Sequence, residues 1–398
     1  MMLPLRFPYR KEGVIYLDNA ATSWPKPPEV AEAMVNFLND VGANPGRSGH
    51  RCSIEAARIV YDAREKVAEL FGAPDPLRVV FGLNVTEGLN LALHGLLQPG
   101  DHVITGGMEH NSVMRPLRDL ESQGVQVTRL PCSREGFLDP ASVQAAIRTN
   151  TVLIALNHAS NVCGTIQPVG AIGAVARQNN LLFLVDAAQS GGAVPLDMEA
   201  EQIDLLGFTG HKSLYGPMGT GGLILGPRVD PQQFKTLKQG GTGSRSEQEL
   251  QPDFLPDRYE SGTANAVGLA GLGAAVGCLL QVGVSVIREH ERSLCQDLTE
   301  RLLEIPGLTL YGPENAGLRT ATLSINLRGL EPSRVGLRLD EEFGVLCRVG
   351  LHCAPAAHRT LGTFPKGTVR LGLGMFNTAE DVKITVEAVR TIAREALS

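Results

Sequence analysis

An alternation of short apolar runs with amphipathic helical patterns constrains the fold of this chain more than any other feature. Four segments place apolar residues at helical spacing: 86–97, 112–123, 141–148 and 169–179. Seven apolar runs rich in β-branched residues are predicted to be strands, at 77–83, 101–107, 125–132, 151–160, 181–188, 203–210 and 219–226. This alternation predicts an α/β fold with a mostly parallel seven-stranded sheet sandwiched by helices.

The pattern changes after residue 265. The segment 266–287 is uncharged and long enough to cross a bilayer, but its five glycines, with Gln281 and Ser285, favour a tightly packed core helix. Beyond it we predict a smaller α+β unit, with helices at 288–304, 332–343 and 378–396 and strands at 319–327 and 368–373. Because 398 residues are too many for one compact core, we expect two domains. Their predicted bounds are 18–265 for the large domain, and 1–17 with 266–398 for the small one, linked by the helix 266–287.

Composition narrows the class of ligand. The net charge is −6 and no run of Lys or Arg occurs, which argues against nucleic acid and anionic membranes as partners and favours a small molecule. The seven cysteines contain no CxxC pair, so free thiols are expected rather than a disulfide framework or a zinc ribbon. The first 13 residues lack the features of a signal peptide, and we expect a cytoplasmic protein.

Polar side chains follow five of the predicted strands, at the point where each strand ends. They lie in the stretches LNVTEG, GGMEHN, NHASNVCGT, VDAAQS and FTGHK. Each stretch alone is typical of a helix cap or a turn. Ligands bind outside the carboxyl ends of strands in open α/β sheets, so together the stretches predict one binding site.

Lys212 is the least expected residue of this group. It is one of only eight lysines, and it has no charged neighbour between 205 and 225 except His211. A buried lysine amine has a lowered pKa and can form a Schiff base with an aldehyde cofactor such as pyridoxal phosphate. That cofactor also needs an acid at its ring nitrogen, and Asp186 ends an apolar strand. An N-cap role in a following helix is the alternative for Asp186.

The turn 84–90 is a candidate phosphate cradle. Thr86 opens a predicted helix, whose free N–H groups and dipole favour an anion, although a capping box without a ligand explains the same residues equally well. Thr209 and His211 are placed to add donors, and Gln189 to donate to the phenolic oxygen of the ring. His110 is suited to stacking on the ring, or is a structural histidine.

Seven ordered motifs resemble the class V aminotransferase superfamily of fold-type I pyridoxal phosphate enzymes. They cover the chain from about residue 15 onward, and the resemblance is greatest to the branch of cysteine desulfurases and selenocysteine lyases. The motifs are YLDNAATSWPKP (16–27), NVTEGLNLA (84–92), EHNSV (109–113), SNVCGTIQP (160–168), VDAAQS (185–190), TGHKSLYGPMGTGGL (209–223) and ESGTAN (260–265).

This resemblance implies roles for individual residues. Lys212 would be the Schiff-base lysine, Asp186 would lie on the ring nitrogen and Gln189 on the phenolic oxygen, with His110 stacked on the ring as a further catalytic residue. The remaining implied cofactor contacts are Val85, Thr86, Thr209 and His211 around the phosphate, Asn161 near the phenolic side, and Thr263, which would reach the phosphate of the partner subunit in a homodimer.

The segment CRVGLHCAPAAHRTLG (347–362) resembles the R-x-G-H-H-C-A motif of the group II desulfurases. It implies that Cys353 attacks the substrate sulfur and holds it as a persulfide while alanine is released. Position 351 is Leu where the family usually has His. Cys347 is the competing thiol, but it ends the apolar run FGVLC and is predicted to lie in the core.

Substrate contacts are predicted on the same basis. Arg370 can hold an α-carboxylate through two parallel hydrogen bonds, and the family pattern supports that role. Arg348 is predicted to help position the loop, with a surface ion pair as the alternative. The stretch GANPGRSGHR (42–51) resembles a family active-site segment, so Asn44, Arg47 and His50 are placed at the entrance.

Three functions compete for these residues. The first is a homodimeric desulfurase that converts L-cysteine to L-alanine and passes sulfur to an acceptor protein. The second is another enzyme of the class: a selenocysteine lyase, aminotransferase, epimerase or other lyase. Cys353 distinguishes the two groups, because desulfurisation needs a thiol at that position and transamination or racemisation does not. The third, a non-catalytic protein, is disfavoured because Lys212 and Asp186 are both present. A nicotinamide site lacks its glycine spacing, and a zinc site from His50, Cys52, His352 and Cys353 lacks the usual ligand spacing.

Overall fold

The computed structural model describes residues 11–46 and 49–397. Three parts of the sequence predictions fall outside that range: residues 1–10 and Ser398, which were assigned to the small domain, and Arg47 at the predicted entrance. The division into domains at residues 18 and 266 stays a prediction.

The described chain contains the following elements. The strands are β1 (Ile15–Tyr16), β2 (Val79–Gly82), β3 (His102–Gly106), β4 (Gln126–Leu130), β5 (Thr151–Asn157), β6 (Leu182–Asp186), β7 (Leu205–Thr209), β8 (Gly221–Leu225), β9 (Leu308–Tyr311), β10 (Thr322–Leu327), β11 (Val345–Leu346), β12 (Arg348–Gly350) and β13 (Thr368–Gly372). The α-helices are α1 (Pro28–Asn36), α2 (Arg51–Leu70), α3 (Val85–Leu96), α4 (Asn111–Ser122), α5 (Pro140–Ala145), α6 (Val169–Gln178), α7 (Ala266–Val282), α8 (Val284–Leu303), α9 (Pro332–Phe343), α10 (Pro355–Thr360) and α11 (Ala379–Leu397).

The large sheet has seven strands in the order β2-β8-β7-β6-β5-β3-β4. Pairs from β7 to β4 are parallel, and β8 is antiparallel to both of its neighbours. The side chains alternate between two cores, since Val103 belongs to the cluster that includes α3 and α4, whereas Ile104 belongs to the cluster that includes α2, α6 and α7. The predicted α/β fold with a mostly parallel seven-stranded sheet is confirmed.

The apolar segment after residue 265 is a core helix, but it is shorter than predicted. Twelve of the 17 residues of α7 are buried, and the helix ends at Val282 because Gly283 takes a φ of 87°. The chain then bends by 80° into α8, so the predicted boundary at 287 was wrong. In the described range no single helix has the length and hydropathy to cross a membrane; only the bent pair of α7 and α8 passes that test.

A second sheet lies in the C-terminal part of the chain, with the antiparallel order β12-β13-β10-β9. The predicted strand 319–327 begins only at Thr322. Arg319 is fully buried instead, and its guanidinium donates to the carbonyls of Pro313, Tyr311 and Thr322. Several elements were not predicted from the sequence: β1, β9, β11, β12, α1, α2 and α10.

Helix α3 approaches strand β8 so closely that only glycine fits at one position. A Cβ atom at Gly88 would lie 2.5 Å from the carbonyl oxygen of Gly222, which is backbone and cannot rotate away. We expect Gly88→Ala to lower the stability by about 1–3 kcal/mol through overpacking, measured as the midpoint of urea unfolding. Gly277→Ala in α7 is the matched control, because its Cβ would meet nothing closer than 3.7 Å; that change should be neutral or stabilising by up to about 1 kcal/mol. Equal midpoints for both variants would contradict the close contact.

Candidate active site

A cavity of about 280 Å³ lies where strands β5, β6 and β7 end and helix α3 begins. Most of the residues predicted for the site line it: Val85, Thr86, His110, Asn161, Asp186, Gln189, Thr209, His211, Lys212, Arg348, Cys353 and Arg370. Thr263 and Asn44 do not line this cavity. They lie at a second one of about 360 Å³. His50 is exposed, and its side chain accepts from the N–H of Ser53 to cap α2.

Lys212 is held at the cavity by contacts to its own backbone. Its segment turns sharply after β7, where the N–H of Gly210 donates to Thr220 and that of Tyr215 to Lys212. The hydroxyl of Ser23 donates to the carbonyl of Lys212 at 2.8 Å. The N-terminal motif that follows β1 thus fixes the lysine on the cavity wall.

Desolvation by burial lowers the pKa of the Lys212 amine to about 8. The carboxylate of Asp186 opposes this shift, whereas Arg370 and Arg348 add to it. The neutral fraction of the amine near physiological pH is therefore far larger than that of an exposed lysine, and the neutral amine is the form that adds to a carbonyl carbon.

Asp186 ends β6 and is 4% exposed. One carboxylate oxygen accepts from the N–H of Ala188 at 2.9 Å in a turn, and no helix follows before residue 204 in this described stretch, so the alternative role as a helix N-cap was wrong. Burial raises the pKa of Asp186, and the Ala188 N–H and Lys212 lower it. Nearby, Gln189 donates from Nε2 to the carbonyl of Ala20 at 2.9 Å, which fixes its side chain.

His110 has a structural role as well as a place on the cavity. It caps α4, because its Nδ1 accepts from the N–H of Ser112 at 3.1 Å. The neutral ring therefore carries its proton on Nε2. Burial, and after it the charge of Lys212, lowers the pKa of His110 to about 4. The ring is uncharged at neutral pH.

The wall around the start of α3 can bind an anion. Asn84, not Thr86, caps this helix by accepting from the N–H of Glu87 at 3.1 Å, so the predicted Thr86 cap was wrong. The hydroxyl of Thr86 instead lies 2.7 Å from that of Ser112. The first N–H groups of the helix have no acceptor within it, and the described chain offers no hydrogen-bond partner to the buried Oγ1 of Thr209 or Nδ1 of His211. Together these donors fit a phosphate group.

The loop between β12 and α10 carries Cys353. The thiol residue is exposed and lines the cavity, whereas the preceding His352 is buried. Both residues take left-handed backbone conformations, with φ of 48° and 56°, which cost a non-glycine residue about 1–2 kcal/mol each. The carbonyl of Cys353 accepts from the N–H of Asn111 at 2.9 Å, so the loop is tied to the helix that His110 begins.

The other cysteines are less suitable than Cys353 as a nucleophile. Cys347 packs against the C-terminal core, and burial raises its pKa to about 12. Burial also raises the pKa values of Cys132 and Cys278 to about 11. Cys353 is exposed, whereas the other six cysteines are buried or half-buried.

Arg370 lies on β13 and is 2% exposed. Its guanidinium donates to Asp18 at 2.8 Å and to the carbonyl of Asn161 at 3.0 Å. Its Nε is buried without a partner in the described chain. Arg348 is its register partner on β12 and is exposed. The residues that the structure describes provide no ion pair for Arg348, so the alternative of a surface ion pair was wrong.

Several cavity residues were not singled out from the sequence: Asn84, Ser112, Asn157, Ala20 and Ala21. Asn84 and Asn157 lie inside stretches that were identified as strand ends, so their position was the available signal. Glu109 was also missed. It is 1% exposed, and its carboxylate accepts from the N–H of Asn157 at 2.8 Å. The residues described include no metal-binding group of three or more His, Cys, Asp or Glu side chains.

The sequence is similar to one family of enzymes along nearly its whole length. The family model for class V aminotransferases matches residues 15–384. A probable cysteine desulfurase of Methanothermobacter thermautotrophicus is 34% identical over 383 residues, which are 95% of this chain and 94% of that protein. A cysteine desulfurase of Pectobacterium atrosepticum is also 34% identical, over 96% of this chain and 94% of that protein.

Solved structures give the same result for the fold. The apo structure of a cysteine desulfurase from Thermococcus onnurineus superposes with a TM-score of 0.90 at 31% identity, and covers 99% of this chain and 100% of that one. A cysteine desulfurase from Escherichia coli superposes with a TM-score of 0.86 at 29% identity, and covers 98% of this chain and 96% of that one.

Proposed function

The chain belongs to the class V aminotransferase family, and from that premise we propose that it is a cysteine desulfurase that uses pyridoxal phosphate. The observation that carries this proposal is the exposed thiol of Cys353 on the same cavity as Lys212 and Asp186. Transamination or racemisation has no need of a nucleophilic thiol there. Relatives described as cysteine desulfurases support the same reaction.

The residues on the cavity fit the cofactor. Thr209, His211 and the N-terminal turn of α3 would bind its phosphate, and Lys212 would hold its aldehyde carbon. Asp186 would accept a hydrogen bond from its ring nitrogen, with His110 against the ring face and Gln189 and Asn161 beside the phenolic oxygen. When bound, the cofactor would supply an electron sink for the carbon adjacent to the substrate amine.

Three side chains of the protein would carry out the remaining steps of the reaction. Arg370 would bind the substrate carboxylate, and Lys212, as a free amine, would move the proton at the α-carbon. The thiolate of Cys353 would then attack the substrate sulfur. One S–S bond forms as the C–S bond of cysteine breaks, and the three-carbon product takes a proton and leaves as L-alanine. The sulfur stays on Cys353 as a persulfide.

A sulfur-acceptor protein and a second subunit complete the proposal. Because Cys353 is exposed on a loop fixed at both ends, the acceptor would have to come to the cavity mouth. Thr263 and Asn44 at the second cavity would serve the neighbouring subunit of a homodimer, with Thr263 on its phosphate. A cytoplasmic location stays a prediction.

The direct test is alanine release from L-cysteine in the presence of a thiol reductant, with L-selenocysteine as a parallel substrate. Release of alanine from cysteine with sulfur bound to Cys353, located by peptide mass, supports the proposal. A cofactor-loaded protein that releases no alanine from cysteine, but transfers its amino group to a keto acid, would replace it by an aminotransferase.

The lowered pKa of Lys212 gives a pH dependence for cofactor capture. The amine is protonated below its pKa and cannot add to an aldehyde, so the capture rate should rise with pH with a midpoint near 8 and level off at higher pH. Borohydride trapping of pyridoxal phosphate on apoprotein, followed by mass spectrometry over a series of pH values, measures this rate. A rise with a midpoint near the ordinary lysine value of 10.5 would show that burial does not perturb the amine.

A further inference from the structure

A pair of buried histidines lies behind the loop of Cys353 and has no part in the mechanism above. His352 is 5% exposed and His358, on α10, is fully buried. Their ring centroids are 5.4 Å apart, and Nδ1 of His352 lies 3.3 Å from Nε2 of His358. His358 does not line the cavity, so it has no contact with a substrate there.

The hydrogen bonds of the pair have one consistent direction. Nε2 of His352 lies 3.3 Å from the carbonyl of Arg348, which can only accept, so the proton of this ring is on Nε2. Nδ1 of His352 is then an acceptor, and His358 must donate to it from Nε2. That leaves Nδ1 of His358 as an acceptor for the hydroxyl of Thr363, at 2.7 Å.

The chain of donors therefore runs from Thr363 through His358 and His352 to the backbone of β12. It works with both rings neutral. Burial lowers the pKa of His352 to about 2 and that of His358 to about 4, in agreement with neutral rings. Each of the four ring nitrogens of His352 and His358 therefore has a hydrogen-bond partner.

The last side chain in this series of hydrogen bonds, His352, directly precedes the thiol residue Cys353. His352 and Cys353 are both left-handed, a conformation that L-residues leave unless other contacts hold it. Three backbone contacts hold it: the carbonyl of His352 accepts from Nδ2 of Asn161, that of Cys353 from Asn111, and that of Leu351 from Ala354. Leu351 has no side-chain hydrogen bond to add, so the ring of His352 is the remaining polar anchor.

We propose that His358 is a positioning residue for the thiol: by donating from Nε2 to His352, it keeps the loop 351–354 in the conformation that presents Cys353 to the cavity. This inference rests on the proposed role of Cys353 as the nucleophile. Its structural part, the support of a left-handed loop by a directed pair of imidazoles, is independent of that role and can be measured separately.

Three substitutions of His358 distinguish the effect of its N–H donor from the effect of its side-chain volume. His358→Gln keeps an N–H close to the position of Nε2. His358→Asn keeps a polar group only near Nδ1, and His358→Leu keeps volume alone. We expect amide exchange at Asn111 and Ala354 in the cofactor-loaded enzyme to be about tenfold faster in the Asn and Leu variants, as the loss of one buried hydrogen bond implies. The Gln variant should match the natural protein.

Turnover should follow the same order. In the Asn and Leu variants we expect kcat for alanine formation to fall about 10- to 100-fold, because the thiol is displaced from its line of attack. The KM for cysteine should stay within about twofold, since Arg370 and the cofactor contacts are untouched. The Gln variant should recover most of kcat. Loss of fold would instead lower the amount of cofactor bound and would not be recovered by Gln.

Specific results would overturn the inference. Unchanged exchange and kcat in His358→Leu would remove any positioning role, and equal losses in the Gln and Leu variants would reduce the role to packing. Spectra of protein with ¹⁵N-labelled histidine add a third test, because His352 and His358 must both carry their proton on Nε2. If the natural protein makes no alanine, the proposed function fails, but the exchange rates and the tautomers still decide whether His358 supports the loop.

Discussion

Replacement of Cys353 by serine should lower alanine formation from L-cysteine by about a thousandfold or more, as the loss of a nucleophile does in other enzymes. A serine hydroxyl is not ionised near neutral pH and cannot accept sulfur as a persulfide. No neighbouring thiol can replace it, because burial raises the pKa of Cys347 to about 12. Capture of pyridoxal phosphate by Lys212 should be unchanged. The measurement is the initial rate of alanine formation, with the bound cofactor determined on the same sample.

Cys347→Ser is the matched control for this experiment. Cys347 lies six residues earlier on the chain and packs against the C-terminal core rather than the cavity. Its replacement should leave the rate of alanine formation within about twofold, in line with substitutions away from the reacting atoms. If Cys347→Ser instead abolishes turnover and Cys353→Ser does not, the persulfide belongs on Cys347 and the loop has another purpose.

Replacement of Lys212 by alanine should have an effect at least as large. Without the amine the protein cannot hold the aldehyde covalently or move the α-proton, so alanine formation should fall by about a thousandfold or more. The same variant should yield no borohydride-reduced adduct at residue 212. Non-covalent binding of the cofactor should persist, since the phosphate contacts proposed for Thr209 and His211 do not depend on the lysine.

The chain contains a natural control for this result. Burial lowers the pKa of Lys26 to about 8 as well, but its amine donates to Ser23 and to the carbonyl of His211 and does not line the cavity. If a lowered pKa alone determined capture, both lysines would react. We expect the reduced adduct on Lys212 and none on Lys26 in a peptide map of the natural protein. An adduct on Lys26 in the Lys212→Ala variant would mean that the cavity does not select the amine.

The sheet and most of the site were predictable because they follow from local patterns. Strand ends with polar residues led to Asp186, Thr209 and Lys212, and parallel pairing brings such ends to one edge. The helix bounds were less predictable, because a single φ at Gly283 ends α7 and no periodicity reveals it. The cap of α3 was assigned two residues late, since Asn and Thr are both good caps and only the backbone geometry distinguishes them.

Contacts that depend on the folded backbone, and not on a local sequence pattern, set the limit of what the sequence could predict. His352 and His358 are six residues apart, but their contact depends on two consecutive left-handed residues, which no propensity predicts for His and Cys. Thr263 and Asn44 were assigned to a site from a resemblance, and the fold places them together at a different cavity. Arg319 was placed in a predicted strand, because the sequence does not show that its guanidinium donates to backbone carbonyls in the core.

The ion pair between Arg370 and Asp18 has a consequence for the resting protein. Without Asp18 the buried guanidinium of Arg370 would have no ion-pair partner. An unpaired charge that is shielded from water strongly destabilises a folded protein. The carboxylate of Asp18 neutralises the charge of Arg370 in this structure. If Arg370 binds the substrate carboxylate as proposed, that carboxylate would take the place of Asp18, so substrate binding would be a competition between two carboxylates, one of which belongs to the protein.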